Sequence, residues 1–444
     1  MILLEALPLL QALAPAFTQP TFRRVVLLLG AALLTTGRRT VANVLRTLAP
    51  LTHGHRTSYQ RVLSHAEWSG LRLACLFSRF LIQQLLPTGL IRIAGDDTVD
   101  GHKGKRVYGK ARHRDPVRST HSYTTWRYGH RWVVLAVLVR FPGAPRPWAL
   151  PVLVVLYRVK EDNRRRRRPH RTPAQLLCRL LWLLLRWFPD RRFLLVVDSG
   201  FGSHEVARFV RRYHPRLVLI SKLHPQANLY TPPPRYRGKG RPRVKGQPLP
   251  KPCQVVDQAQ RRRHHTVDWY GGGQRQVTTV TGTGQWYKTG RGLVPVRWVH
   301  VRDVTGTHRD EYFYTTDPDL TPAELIGHYT ARWNLETTFQ ELRAHLGLET
   351  TRGWCRTTVL RAAPCLFGLY SVVAWLYQHL PSTERGIAVD WPGKEGFTFS
   401  DALTAVRRWL WSEGVFPQAG EPQLLQKLPE PLRILLLSTL APAA

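Results

Sequence analysis

The sequence predicts an α/β protein: a mixed sheet of three antiparallel strands leading into parallel crossovers, flanked by helices, with a helical segment before it and a β-rich insertion within it. Three observations predict it. Apolar residues recur at helical spacing up to about residue 88. Two long β-branched runs then follow, separated by "PGAPR" (142–146), as in an antiparallel hairpin. Beyond them the continuously apolar segments "FLLVV" (193–197) and "RLVLI" (216–220), of the kind buried on both faces of a sheet, alternate with helical stretches.

Residues 1–88 read as helices through "RRTVANVLRTLAPL" (38–51) and "EWSGLRLACLFSRFLIQQLLP" (67–87). Arg38, Arg39, Arg56 and Arg61 are spread over a helix, connection, helix pattern. A DNA-binding helical domain and a plain helical bundle with surface arginines both fit it. Residues 89–225 carry the first part of the sheet. "LIRIAGDDT" (90–98) is a short strand, and "RWVVLAVLVRF" (131–141) and "PWALPVLVVLYRV" (147–159) form the hairpin. "TPAQLLCRLLWLLLRWF" (172–188) is a helix capped by Thr172 with Pro173 in its first turn. "FLLVVDSG", the helix "SHEVARFVRRYH" (203–214) and "RLVLISKL" (216–223) complete the order β, β, β, α, β, α, β. Residues 226–318 interrupt that plan. Here a Pro, Gly and basic loop leads into Thr- and Val-rich strands, "QVTTVTGTG", "VPVRWVHVRDV" and "EYFYTTD". Residues 319–380 return to helix, "TPAELIGHYTARWNLETTFQELRAHLG" (321–347) and the apolar "TTVLRAAPCLFGLYSVVAWLYQHL" (357–380), which has the composition to pack on the sheet. A helical tail occupies 381–444.

The chain of 444 residues carries 65 Lys and Arg against 29 Asp and Glu, a formal charge of +36. Such an excess repels itself unless a polyanion shares the surface, and nucleic acid is the natural partner. An anionic membrane is the rival, but "VVLLLGAALL" (25–34) and "LLCRLLWLLLRWF" (176–188) are too short or broken by arginine to span one. The apolar N-terminus has no basic leader, so a secretory signal is not expected and a reduced cytoplasm is the default compartment. The five cysteines are dispersed and show no C-x-x-C spacing, which speaks against a disulfide framework or a zinc cluster. "RRRHH" (261–265) and the run Arg164 to Arg168 read as solvated or phosphate-facing loops.

Three acids stand out. "IRIAGDD" and "LLVVD" turn polar where the chain leaves the sheet, and sites form at the carboxyl edge of open α/β sheets. Strand alternation puts Asp97 with Ile91 and Ile93 and Asp96 with Arg92, which makes Asp97 the better candidate for a ligand at a buried edge. Asp198 is followed by Ser199-Gly200, a ready turn. In "RWNLETTFQELRAHLG" (332–347), helical winding gathers Tyr329, Arg332, Glu336, Gln340 and Arg343 within an arc of roughly 80°, beside the apolar stripe of Leu335, Phe339, Leu342 and Leu346. Singly, each acid could be a cap or a charge on a wet helix face. Together, Asp97, Asp198 and Glu336 are hard oxygen ligands suited to Mg2+, and a pair of such ions serves in-line phosphoryl displacement.

The ordered set "DDT", "KGKRVYG", "RYGHRWVVLAVLV", "PWALPVLVVLYR", "FLLVVDSGF" and "YTARWNLETTFQELRAHLGLE" resembles DDE transposases of the IS4 superfamily, IS701-like in type, over roughly residues 90–375. Tyr329, Arg332 and Glu336 are similar to the Y-(2)-R-(3)-E-(6)-K signature of that superfamily, with Arg343 where the lysine stands. The resemblance implies a ribonuclease-H-like catalytic domain and a DNA transposase that cuts at transposon ends and transfers the freed strand into target DNA. It implies Asp97, of the "D-T" pair, with Asp198 and Glu336 as catalytic metal ligands, two Mg2+ ions (or Mn2+) as cofactors, and Tyr329, Arg332 and Arg343 on the DNA backbone. Arginine keeps the charge at 343 but presents a planar fork instead of a point charge. Double-stranded DNA, as terminal inverted repeats and target, and a homodimer in the DNA complex are the implied partners, with no membrane. Some relatives stack a flipped base on a tryptophan of the insertion. Trp269, Trp286 and Trp298 are the positions to consider, though a place in an ordinary β-segment core fits each of them better. A metal-dependent nuclease without strand transfer, and an inactive DNA-binding descendant, are the alternatives.

Overall fold

Local caps and apolar stripes set the helices of the N-terminal segment. In the computed structural model, which describes residues 4–115, 118–120, 122–236, 238, 240–420 and 424–443, five helices precede the first strand. They are α1 (Leu7–Leu13), α2 (Gln19–Leu34), α3 (Val41–Thr47), α4 (Arg56–Ser64) and α5 (Gly70–Leu85). Thr40, His55 and Ser69 accept backbone N–H bonds at the starts of α3, α4 and α5, satisfying donors that have no partner inside the helix. Leu9, Leu33, Leu34, Leu81 and Ile82 are buried in the same core that holds Ile91 and Val133 of the sheet. The segment expected over 1–88 is therefore helical and packed directly on the sheet. Arg39, counted with the surface arginines in the sequence, is only 7% exposed. Its Nη2 donates to the His345 carbonyl at 2.7 Å and its Nε to the Ala32 carbonyl at 3.1 Å. Burial first, and then the neighbouring Arg407, pull its pKa down to about 10.

The chain forms a large mixed sheet flanked by helices. β1 (Ile91–Gly101), β2 (Ala111–Arg114), β3 (Trp126–Val139), β4 (Trp148–Tyr157), β5 (Phe193–Val197) and β6 (Leu217–Lys222) form one side of the sheet. In space β4 pairs with β3, β3 with β1, β1 with β5 and β5 with β6. The β4–β3 and β3–β1 pairs are antiparallel, and the β1–β5 and β5–β6 pairs are parallel. β2, not anticipated from its sequence, pairs with the first residues of β3. Between β4 and β6 lie α6 (Lys160–Arg165), α7 (Pro173–Trp187) and α8 (His204–Arg211). Thr172 and Gln175 close a reciprocal capping box at the start of α7. Arg164 and Arg165, expected in a loop, end α6 instead, where the negative end of the helix dipole faces them and Glu161 and Asp162 occupy the first turn.

The β-rich segment extends the same sheet. β7 (Leu229–Tyr230), α9 (Pro252–Asp257), β8 (Arg263–Asp268), β9 (Gln274–Lys288), β10 (Gly292–Asp303) and β11 (Glu311–Thr315) follow in order. β11 pairs antiparallel with β6, then β10 with β11 and β9 with β10, giving an 11-stranded sheet. β11 thus covers the edge of β6, whose amides and carbonyls would otherwise stand unpaired. Arg263, His264 and His265, expected in a loop, are the first residues of β8 and pair with β9, and His265 Nε2 meets Thr279 Oγ1 at 3.1 Å.

Helices then return as α10 (Pro322–Ala331), α11 (Asn334–Ala344), α12 (Arg356–His379) and α13 (Phe399–Trp409). Where the sequence suggests one helix over 321–347, the structure has two. The amides of Arg332 and Trp333 bond three residues back, to Tyr329 and Thr330, and Asn334 Nδ2 takes the Ala331 carbonyl. This tightened turn resets the helix. α12 alone among the described residues is long and apolar enough to cross a bilayer, and 67% of its most apolar stretch is buried in the fold. Ser371 of α12 and Thr338 of α11 donate to the carbonyls of Pro151 and Ala149 in β4, at 3.1 and 2.9 Å. α10 to α12 thus cover one face of the sheet. α7 covers the other, so closely that a Cβ on Gly95 would stand 2.9 Å from Leu177 Cδ1.

Arg39→Ala would remove the side-chain donor from the half-buried Ala32 carbonyl and leave the His345 carbonyl with only the longer bond from Arg407 Nη2 at 3.5 Å. A loss of about 1–3 kcal/mol is expected, measured as a lower urea midpoint with an unchanged slope.

Candidate active site

The ends of two neighbouring strands create the site. β5 stops at Val197, opposite Gly95, whereas β1 runs on to Gly101 paired with β3. Asp96 and Asp97, expected at a strand end, lie inside β1 at the level where β5 has given way to Asp198. The reason is nonlocal: β3 supplies ladder partners for residues 96–101 that the sequence of β1 alone does not reveal.

Alternation sends the two carboxylates to opposite faces. Asp96 lies on the α11 side, where Arg332 Nη1 donates to its Oδ2 at 2.8 Å. Arg332 Nη2 donates to Glu336 Oε1 at 2.9 Å. One guanidinium therefore ties β1 to α11. Asp97 shares the α7 face with Gly95 and is held by Arg131 of β3, whose Nε and Nη2 donate to Oδ2 at 2.9 and 2.5 Å. Asp198 opens a tight turn. Its Oδ1 accepts the Phe201 N–H at 3.0 Å, and its carbonyl accepts from Gly202 N–H at 2.8 Å and Ser221 Oγ at 2.9 Å.

The charges act on one another. Burial pushes the Asp96 carboxyl up, to about 8; Arg332 opposes this, and the negative charges of Asp198 and Asp97 add to it. Burial likewise raises Asp97, against Arg131, with Asp198 contributing. Arg332 is 7% exposed. Burial alone would lower its pKa, but Asp96, Tyr329, Glu336 and Asp198 outweigh it and hold the guanidinium above its ordinary value. Buried acids whose proton affinity a neighbouring carboxylate raises further form a locus that favours cations.

The structure places Asp96 and Glu336 on Arg332, with Asp198 within electrostatic range of Arg332, Asp96 and Asp97 and with Asp97 on the other face; among the described residues these acids do not gather three ligand atoms within 4.8 Å of one another. Asp96, set aside in the sequence, stands with Glu336 on Arg332. The available signal was parity: Asp198 follows Leu194 and Val196, which pack with Leu325 and Ile326 of α10, so Asp198 and Asp96 share a side. Arg343 donates to Thr98 Oγ1, two residues beyond Asp96 on the same face, and pairs with Glu349 at 3.4 Å. Tyr329 is 1% exposed and stacks on Phe313 at 4.2 Å. Its ring belongs to the core under α10, beside Arg332. Trp298 is buried, and Trp286 packs edge-on against Tyr314 and His204. Trp269 is half-buried against Tyr270 and His308.

A mixed sheet that collects aspartates from β1 and the end of β5, with a glutamate from a helix above them, defines a carboxylate-centred site. The chain belongs to the DDE superfamily endonucleases, whose family model matches residues 12–276. That segment carries Asp96, Asp97 and Asp198 and ends before Glu336. Among solved structures the chain is similar to a piggyBac transposase in a synaptic complex with hairpin DNA. The identity is 11% and the TM-score 0.43, over 96% of this chain and 78% of that one, too remote to carry residue roles across. No curated protein matches the chain.

Gly202 tests the turn that presents Asp198. A Cβ there would fall 1.9 Å from Ser221 Oγ and 3.1 Å from the Asp198 carbonyl. Gly202→Ala is expected to cost about 1–3 kcal/mol by overpacking, read by chemical denaturation, and to reduce any activity that depends on Asp198.

Proposed function

We propose that the protein is a DNA transposase that cuts at the ends of a mobile element and joins the freed strand to target DNA. The observation that carries this reading is the sharing of Arg332 by Asp96 and Glu336, with Asp198 within electrostatic range of it, in a DDE-family chain of net charge +36. The order β4-β3-β1-β5-β6, antiparallel then parallel, supports a ribonuclease-H-like core. The membership in the IS4 superfamily, IS701-like, rests on the motif spacing around Glu336.

Hard carboxylate oxygens fit divalent Mg2+ or Mn2+, and Arg332 and Arg131 are the counterions of these acids in the protein by itself. Asp198, Glu336 and Asp96 would hold the ions, with Asp97 as the alternative aspartate that the sequence resemblance favours. When bound, such ions lower the pKa of an attacking water or hydroxyl and stabilise the leaving oxygen. The chain's own residues position the DNA. Arg332 and Arg343 stand on the Glu336 face, where their guanidinium forks suit phosphate oxygens. Tyr329 acts from below by packing against the Arg332 side chain. Fixed positive charge over the surface supplies salt-dependent affinity for the duplex. The reading places a homodimer on paired ends in the cytoplasm.

The test uses purified protein and a plasmid bearing the terminal repeats that flank the gene. Cleavage followed by strand joining supports a transposase; cleavage without joining supports a nuclease; binding alone supports an inactive DNA-binding descendant. Asp198→Asn and Glu336→Gln should each lower cleavage on the order of 10³-fold or more while DNA affinity in a gel-shift assay stays close to the parent. Asp96→Asn should match them, and Asp97→Asn should lose less; the reverse ranking would return the ligand role to Asp97. Removing divalent ions with EDTA should stop cleavage, and adding Mg2+ or Mn2+ should restore it. Activity that persists in EDTA would overturn the metal assignment.

A further inference from the structure

A second cluster lies further along the β1–β3 ladder, beyond the carboxylates. Asp100 of β1 faces His130 of β3 across the ladder, and His102 follows directly after β1. All three are buried, Asp100 fully. One ligand atom from each, two imidazole nitrogens and a carboxylate oxygen, can be chosen so that all lie within 4.8 Å of one another. We propose that Asp100, His102 and His130 form a binding site for a transition-metal ion of the Zn2+ class, distinct from the Asp198 and Glu336 site and independent of the reading given above for it.

Three features point to a cation. His130 donates its Nε2–H to the Tyr108 carbonyl at 2.8 Å, which leaves Nδ1 as a lone pair directed at Asp100 Oδ1, 3.5 Å away. A lone pair facing a carboxylate is repulsive, so that nitrogen either carries a second proton or shares a metal ion with the carboxylate. The backbone-bound second nitrogen is also the usual way a metal-ligating histidine is oriented. His102 Nε2 is buried, has no hydrogen-bond partner, and lies 3.3 Å from Asp100 Oδ2. A tetrahedral Zn2+ with ligands at about 2.0–2.1 Å spaces them about 3.4 Å apart, inside the 4.8 Å that bounds the three ligand atoms, so small side-chain adjustments would bring one carboxylate oxygen and both nitrogens onto one ion. Finally, Asp100 is fixed in place by the His130 N–H at 2.9 Å and Trp132 Nε1–H at 3.0 Å, which aims its oxygens at the two imidazoles.

Two imidazoles and one carboxylate favour Zn2+ over Mg2+, which prefers an all-oxygen shell. His113 Nε2 of β2 is likewise buried without a partner, and His113 lies within electrostatic range of Asp100 and His130. The ion would pin the basic loop from Lys103 to Lys110 to the end of β1, beside Thr98 and Arg343.

The full-length protein, stripped with EDTA and dialysed, is titrated with Zn2+ and separately with Co2+. About one equivalent of tightly held Zn2+ per chain is expected by elemental analysis, with the intense visible bands of tetrahedral Co2+ and a higher melting temperature on Zn2+ addition. H102Q and H130Q should weaken Zn2+ binding by at least about tenfold and lose the cobalt bands, while D198N and E336Q keep both. Circular dichroism checks the fold. If H130Q does not fold, H102Q, whose side chain lies past the strand end, carries the comparison. Unchanged Zn2+ binding in folded H102Q, loss of the ion in D198N, or no bound Zn2+ in the parent would overturn the assignment, the last leaving a metal-free cluster that shares protons.

Discussion

The contact on which the site depends is the buried guanidinium of Arg332 shared between Asp96 and Glu336. Those two acids come from different elements, and Asp198 adds its charge from a third. Without an intervening cation, carboxylates gathered on one guanidinium would repel each other. The break between α10 and α11 places Arg332 at the turn, one helical turn before Glu336, so that both of its terminal nitrogens find an acid. The packing beneath serves the same end: Tyr329 on Phe313 seats the end of α10, and Thr338 on the Ala149 carbonyl seats α11.

The sheet supplies the other half of the geometry. Because β5 stops one residue before Asp198 while β1 continues along β3, a notch opens beside Asp96 and Asp97. Asp97, on the reverse side of the notch, is neutralised by Arg131. Each acid pointing into or around the notch thus has an arginine at hand or within electrostatic range. In a chain this basic, those arginines are also the groups that phosphate oxygens would recruit.

Much of this was legible in the residues. β3 to β6 follow from apolar runs bounded by turn signals, and α7 from its Thr172-Pro173 start. Asp198 stood out as an acid where an apolar strand turns polar, and Glu336 as the glutamate on the helical face shared with Tyr329, Arg332 and Arg343. What escaped depends on contacts remote in sequence. The length of β1 is set by β3, and the choice between Asp96 and Asp97 is set by which helix covers which face. The interruption at residues 332–333 comes from a three-residue hydrogen-bond pattern that apolar periodicity does not sense. Arg39 looks like any surface arginine until the His345 carbonyl arrives from more than three hundred positions away. The pairing of His102 with His130 likewise needs the β1–β3 register, although Asp100 and His102 already stood two apart in the chain.

The most direct test of the convergence is anomalous diffraction from crystals of the full chain soaked in Mn2+. Ions bridging Asp198, Glu336 and Asp96, with Arg332 displaced from at least one of them, are expected. Manganese bound elsewhere, with Glu336 and Asp198 sharing no ion, would contradict it.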